Sequence, residues 1–199
     1  LNFFDTRALS QLLLPGFFLS PNSSLNVSID ELMKVNIDFK AAKIGFKKDF
    51  SNNLNIKAVS GSEELNTTIY SDRIRLAGLD LDSSKILLKA INNNIGLKLF
   101  YTNNTKLKNL LRFSSDIGVE KVAGSSAPLF RISINPSELF FNNQQWNFAS
   151  SSVSIHDSKF RFDGFKIFSD EQTLEVNGAL SSSLEDSLSV KFKNLEIFP

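Results

Sequence analysis

From Ser24 onward, apolar side chains recur at every second position, and this period restricts what the chain can fold into more than any other feature. Leu25, Val27 and Ile29 alternate with Asn26 and Ser28, and Met33, Val35, Ile37 and Phe39 alternate with Lys34, Asn36 and Asp38. Successive side chains of a strand point to opposite faces, so this spacing makes strands that are dry on one side and wet on the other. The beat returns at Leu54 and Ile56, at Leu65, Thr67 and Ile69, at Ile74 and Leu76, and at Ile95, Leu97, Leu99 and Tyr101. Later it carries Val153 and Ile155, Phe160 and Phe162, Phe165 and Ile167, Leu174 and Val176, and finally Leu188, Val190 and Phe192.

Turn-forming clusters separate the runs: Ser51-Asn52-Asn53, Ser60-Gly61-Ser62, Asn92-Asn93-Asn94, Asp163-Gly164 and Ser181-Ser182-Ser183. Many strands at a spacing of roughly 8 to 12 residues, joined by tight turns, predict an all-β antiparallel meander. Parallel crossovers need a dozen or more intervening residues, and the connections are too short for them. Two regions depart from the beat. Near the start, Asp5 caps a short predicted helix carrying Leu9, Leu12 and Leu13 before Pro15-Gly16 stops it. Between Lys106 and Pro128, the Leu110-Leu111 pair and Gly118, Gly124, Ser125 and Ser126 break the alternation. A long connection is expected there. The chain otherwise reads as one strand-rich segment, 1–199, with an internal break placed near residue 125.

Composition narrows the function classes. The chain has 19 Phe against one Trp and two Tyr, so its aromatic mass is almost wholly apolar and suits an interior more than a polar recognition surface. The formal net charge of +1, with both signs interspersed, argues against a nucleic-acid partner, which demands concentrated Lys and Arg. There is no cysteine, hence no disulfide, thiolate metal site or Cys nucleophile. No apolar run reaches the roughly 18 residues of a membrane-spanning helix. The ends, Leu1-Asn2-Phe3-Phe4 and Leu195-Glu196-Ile197-Phe198-Pro199, read as those of a segment cut from a longer chain.

Catalytic chemistry is hard to assemble from these residues. His156 stands beside Asp157, but neighbours in a strand diverge, which defeats a nucleophilic triad. Asp80 and Asp82 share a face, and a calcium or acid–base reading is weaker than that of a wet face behind Leu79 and Leu81. Asp72 with Arg73 and Arg75, and Lys47-Lys48-Asp49, likewise read as solvated. Trp146 reads as a structural anchor over one end of a sheet. No Gly-rich turn leads from a strand into a helix to cradle a phosphate. No enzyme activity and no cofactor are therefore expected.

Period-two patterning is equally compatible with a sandwich, a barrel or a folded trough. The order of short motifs in the second half narrows this. Ile132-Ser133-Ile134-Asn135-Pro136-Ser137-Glu138-Leu139 is followed by Asn142 through Trp146, then Ser152-Val153-Ser154-Ile155, then Phe165-Lys166-Ile167-Phe168-Ser169-Asp170-Glu171-Gln172. Leu174-Glu175-Val176-Asn177-Gly178-Ala179-Leu180-Ser181 and Asp186-Ser187-Leu188 complete it. This order resembles the TamB family, the translocation and assembly module proteins related to AsmA. Leu12-Leu13-Leu14-Pro15-Gly16-Phe17, Ser20-Pro21 and Ser24-Leu25-Asn26-Val27 are also similar to the middle of such chains, whereas the likeness thins between about 40 and 125.

The resemblance implies an antiparallel meander folded into a β-taco, a trough with an apolar interior. It further implies a periplasmic location within an inner-membrane-anchored protein, and an outer-membrane Omp85-type partner reached through the full-length chain. Phospholipid acyl chains are the expected guests, in transport between the membranes or in outer-membrane protein assembly. On this reading Val35, Ile37, Phe39, Ile56, Leu97, Leu99, Val153, Ile155, Phe160, Phe162, Ile167, Val176, Val190 and Phe192 line the groove. The competing expectation is a β-sandwich adhesin or carbohydrate-binding module, whose apolar faces simply pack on each other.

Overall fold

A computed structural model describes residues 2–3, 14–76, 79–103, 106, 108–141 and 143–194. Every regular element among them is a strand. In chain order these are β1 (Asn2–Phe3), β2 (Phe17–Leu19), β3 (Ser23–Ile29), β4 (Val35–Phe46), β5 (Asp49–Ser60), β6 (Glu64–Leu76), β7 (Leu79–Ile91) and β8 (Asn94–Thr102). Then follow β9 (Leu110–Glu120), β10 (Leu129–Ile134), β11 (Ser137–Phe141), β12 (Gln144–Phe148), β13 (Ser151–His156), β14 (Lys159–Ser169), β15 (Gln172–Leu180) and β16 (Leu188–Lys193). The helix predicted over Asp5 to Leu13 falls outside the described residues.

The chain forms two compact units, and the division passes through β8. Leu1–Asn92 and Leu99–Lys106 make the first, and Asn93–Lys98 and Leu107–Pro199 the second. Residue 125, the expected position of a break, lies in the turn between β9 and β10, both of which belong to the second unit. The long connection expected from Lys106 to Pro128 is corrected by β9 itself. Leu111, Phe113, Ile117 and Val119 keep the period-two beat, but Ser115 in the middle of the row and Leu110 beside it disguise the pattern.

In the first unit, β3 to β7 pair in chain order as an antiparallel meander. Directly opposed residues share a face. Leu25, Phe39, Ile56, Ile69 and Ile86 therefore form one lateral row, and Val27, Ile37, Ala58, Thr67 and Leu88 the next. The reverse face carries Asn26, Asp38, Lys57, Thr68 and Leu87 in one row and Ser28, Asn36, Val59, Asn66 and Lys89 in another, mostly polar.

Midway along the strands the parity of the apolar positions changes in every strand at one level. It passes from Phe39 and Ala41 to Ile44 in β4, from Leu54 to Ser51 in β5, from Ile69 and Ser71 to Ile74 in β6, and from Ser84 to Leu81 in β7. Register is kept across the change, since Ala41 opposes Leu54, Lys43 opposes Asn52, Ser71 opposes Ser84 and Arg73 opposes Asp82. Left-handed backbone at Asn53 (φ 48°) and Ser83 (φ 40°) lets two consecutive side chains face the same way. The seam thus keeps the dry face dry. Ser51 Oγ and Ser71 Oγ, one from each side of it, are 2.7 Å apart and so lie on the same face. Along the seam, Ser23, Ala41, Ser71 and Ser84 are buried, small side chains set among larger ones. The edge is interrupted at the same level, because β2 and β3 lie end to end along β4 with Ser20 N–H donating to the Lys43 carbonyl at 2.7 Å.

The second unit repeats this plan with different strands. β10 and β11 lie end to end along β9, separated by Asn135 and Pro136, and β13 and β12 lie end to end along β14, separated by Ala149 and Ser150. Proline has no N–H to give the ladder, so the interruption at Pro136 is built into the covalent chain. Ser137 Oγ accepts the Ser114 N–H at 3.0 Å and closes the gap. In β14 the register to β15 shifts at Asp163 and Gly164 (φ 66°), and the Phe162 and Phe165 rings meet edge-on at 6.4 Å on one face. β15 then pairs β16.

Neither unit has a dry core of the kind two stacked sheets produce. Among the described residues the buried hydrophobic side chains are Ala41, Ile134 and Ala179, and the largest fully buried ones are Ser23, Ser71 and Ser169. Phe39, Ile56, Ile69, Val153 and Phe162 are only half-buried. Cohesion comes from backbone ladders and from lateral contact between opposed side chains, each pair contributing roughly 0.2–1 kcal/mol.

Three substitutions probe this arrangement. At Gly178 (φ 108°) a Cβ would meet the Ser187 carbonyl oxygen, whereas at Gly118 its nearest neighbour would be Asn94 Oδ1 at 3.5 Å. Urea denaturation should show Gly178→Ala losing roughly 1–3 kcal/mol and Gly118→Ala staying within about 0.5 kcal/mol of the parent. Ser71 Oγ donates to the Asn52 and Arg73 carbonyls at 2.8 and 3.0 Å and contacts Ser51 Oγ. Ser71→Ala should cost about 1–3 kcal/mol by the same measurement, because buried acceptors lose their donor.

Candidate functional site: the apolar sheet faces

Apart from Leu97 and Leu99 on β8, the residues expected to line a groove fall on one face within each unit. In the first unit Val35, Ile37, Phe39 and Ile56 share a face, joined by Leu25, Val27, Ile69, Ile86 and Leu88. Ile86-Leu87-Leu88 obscures this in the sequence, because Leu87 sits on the reverse face opposite Thr68. Leu97 and Leu99 are half-buried on β8, on either side of the division between units.

In the second unit Val119, Phe130, Ile155, Phe160 and Leu180 make one row, and Ile117, Ile132, Val153 and Phe162 another. Beyond the seam come Phe165, Val176 and Val190, then Phe148, Ile167, Leu174 and Phe192. Phe113 extends this last row, its ring edge-on to Phe148 at 5.6 Å. The eight expected residues on β13 to β16 are therefore on one side, and β9 adds residues that the sequence reading passed over. Trp146 is half-buried on the same face opposite Leu139. Met33, read as part of the β4 beat, belongs instead to the β3–β4 turn, where its φ is 59°.

Serine supplies the polar atoms near these faces. Ser84 Oγ and Ser151 Oγ are buried without a hydrogen-bond partner. Thr67 adds one further hydroxyl to the apolar rows described above.

The reverse faces hold salt bridges that close on themselves. Asp80 takes Arg75 through Nε at 3.0 Å and Nη2 at 2.7 Å, and Arg73 through Nε at 3.3 Å. Those bonds, Arg75's first, hold its carboxyl down at about 2. Asp72 accepts from Tyr70 Oη at 2.7 Å and Asn53 Nδ2 at 2.6 Å, which lowers its pKa and raises that of the tyrosine. Glu64, with Lys89 at 3.0 Å, is lowered too. These carboxylates are solvated and mutually satisfied, in keeping with the wet-face reading of Asp80.

His156 Nδ1 lies 3.3 Å from the Pro128 carbonyl oxygen and is engaged by backbone. Among the described residues no group of three or more His, Cys, Asp or Glu is placed to hold a metal ion. A hollow of about 550 Å³ lined by Arg112, Pro136, Glu138, Asn147 and Phe168 opens at the second seam, and Arg112 there is spent on Glu138 at 2.6 Å.

The Asp80 shift has a definite sign. A carboxyl depressed in the folded state stabilises the fold above its ordinary value of 3.8 and loses that contribution as pH falls through about 2. Asp80→Asn should lower the urea midpoint near neutral pH, modestly because the pair is solvent-screened, and the gap to the parent should close near pH 2. A gap independent of pH would contradict the assignment. No protein-family model, no curated protein and no solved structure matches the chain.

Proposed function

We propose that this chain is a non-catalytic piece of a larger cell-envelope protein of the TamB type, and that its apolar faces shield phospholipid acyl chains moving between inner and outer membranes. One observation carries the reading: each unit presents an apolar face several strands wide whose Val, Ile, Leu and Phe side chains are half-buried, as at Phe39, Ile56, Val153 and Phe162, or exposed, as at Val27, Phe160, Val190 and Phe192. Covering a methylene is worth about 0.8 kcal/mol, so a continuous dry surface holds an acyl chain without a specific contact. Movement along it needs no chemistry.

The seams support the finer shape. An extra residue in a strand bends it and increases its twist, and one at the same level in each neighbouring strand folds the sheet along a line. Small buried side chains along that line suit the floor of a taco-like trough. Location in the periplasm, anchorage in the inner membrane, an Omp85-type partner and a part in outer-membrane protein assembly belong to the same proposal. The adhesin or carbohydrate-binding sandwich is less well supported, because interlocked sheets would leave the central Phe and Ile side chains fully buried.

Native mass spectrometry of the chain after incubation with phospholipid vesicles should find bound phospholipid. Phe162→Asp or Ile155→Asp places a charge on the face and should lower capture, and photo-cross-linking to acyl chains, by at least tenfold, because an unpaired charge against hydrocarbon is costly. Undiminished capture by a variant that keeps its far-ultraviolet β signature would overturn the reading.

A further inference from the structure

The two ends of the first unit's strands differ in chemistry. One end carries Asp30, Glu31 and Lys34 in the β3–β4 turn, Glu63 in the β5–β6 turn and Glu64 at the start of β6, paired with Lys89, so it is acidic on balance. At the other end Lys47 and Lys48 alone join β4 to β5, since Phe46 opposes Asp49. A two-residue hairpin of this kind favours Asn-Gly or an initial Gly, yet Lys47 takes a left-handed φ of 56°. Two lysines thus stand where backbone preference alone would not put them.

Large apolar side chains surround them. Phe46 is 42% exposed, and Leu14, at 51%, belongs to the turn whose Gly16 carbonyl accepts the Lys47 N–H at 2.7 Å. Lys47 Nζ lies 5.2 Å from the centre of the Phe46 ring. Lys43 Nζ lies over Phe50 at 4.5 Å and Phe18 at 5.4 Å, and the Phe18 ring crosses the bare Cα of Gly45. Ammonium groups beside apolar rings, Lys47 at the tip and Lys43 behind it towards the seam, with a Phe and a Leu exposed at the tip, have the make-up of an interfacial anchor. The cations meet phosphate while the rings enter the headgroup boundary.

We propose that this end of the first unit docks on the surface of an anionic phospholipid bilayer, through Lys47 and Lys48 with Phe46 and Leu14. Charge complementarity selects the bilayer and orients the unit, because the acidic end is repelled by the same surface. The inference is independent of acyl-chain shielding by the apolar faces.

Flotation of the full chain with vesicles tests it. Vesicles of equal parts phosphatidylglycerol and phosphatidylcholine should carry the protein in a salt-sensitive way, and phosphatidylcholine alone should not. Lys47→Asn with Lys48→Gly installs the turn the hairpin prefers, so the fold is kept while partitioning onto anionic vesicles should fall roughly twentyfold. Phe46→Ser should weaken it several-fold. Leu32→Ser with Met33→Ser, at the acidic end, and Phe162→Asp in the second unit should leave it unchanged. Equal binding to both vesicle types would overturn the proposal. So would a Lys47→Asn/Lys48→Gly variant within about twofold of the parent, or binding of polyglutamate that competes fully with the vesicles. Retained docking by a Phe162→Asp chain that no longer captures lipid would separate this surface from the shielding face.

Discussion

The structure depends on lateral hydrogen-bonded pairing of antiparallel strands whose dry sides all face one way. Ordinary domains bury such faces against a second layer, and central side chains then vanish from solvent. Here Phe39, Ile56, Val153 and Phe162 stay half-buried, and among the described residues serines are the largest side chains fully enclosed. The ladders must therefore hold the sheet without the usual help from a core. Register is correspondingly strict, because a slip of one residue would send every apolar side chain to the wet face.

That constraint explains the seams. In the first unit β4 to β7 each carry an interruption, and an interruption in one strand alone would turn half its side chains over, whereas β9 and β15 of the second unit keep an unbroken alternation. The first unit solves this with a parity change at one level in β4, β5, β6 and β7, while the second uses paired short strands, Pro136 and Gly164. Different residues reach the same end. The surface that results is continuous in chemistry though broken in backbone geometry, which is the property a shield for hydrocarbon chains requires. The Asp80 and Arg75 pair lies on the reverse face and the Lys47 and Lys48 turn at a strand end, while the polar groups within the dry rows described above are the hydroxyls of Ser and Thr.

Much of this was legible in the sequence, and the failures have physical causes. Val35, Ile37 and Phe39 announce their shared face, since nothing interrupts the alternation. β9 was lost because its seam residue is Ser115, which sits on the dry face yet scores as polar, and because Leu110 stands beside Leu111. Met33 continued the beat on paper but lies in a turn, held by its N–H donating to the Asp30 carbonyl at 3.0 Å. The salt bridges of Asp80 needed the pairing of β6 with β7, which brings Arg75 directly opposite.

By itself, then, the sequence determined that the chain is made of antiparallel strands with one apolar side, because side-chain period is a local property of extended backbone. Only the tertiary structure decided that the interruptions coincide from strand to strand and that the dry faces are left half-open. Both outcomes depend on which residue stands opposite which across a ladder, and on whether another layer arrives to cover the face. Neither is encoded in the spacing of residues along a single strand.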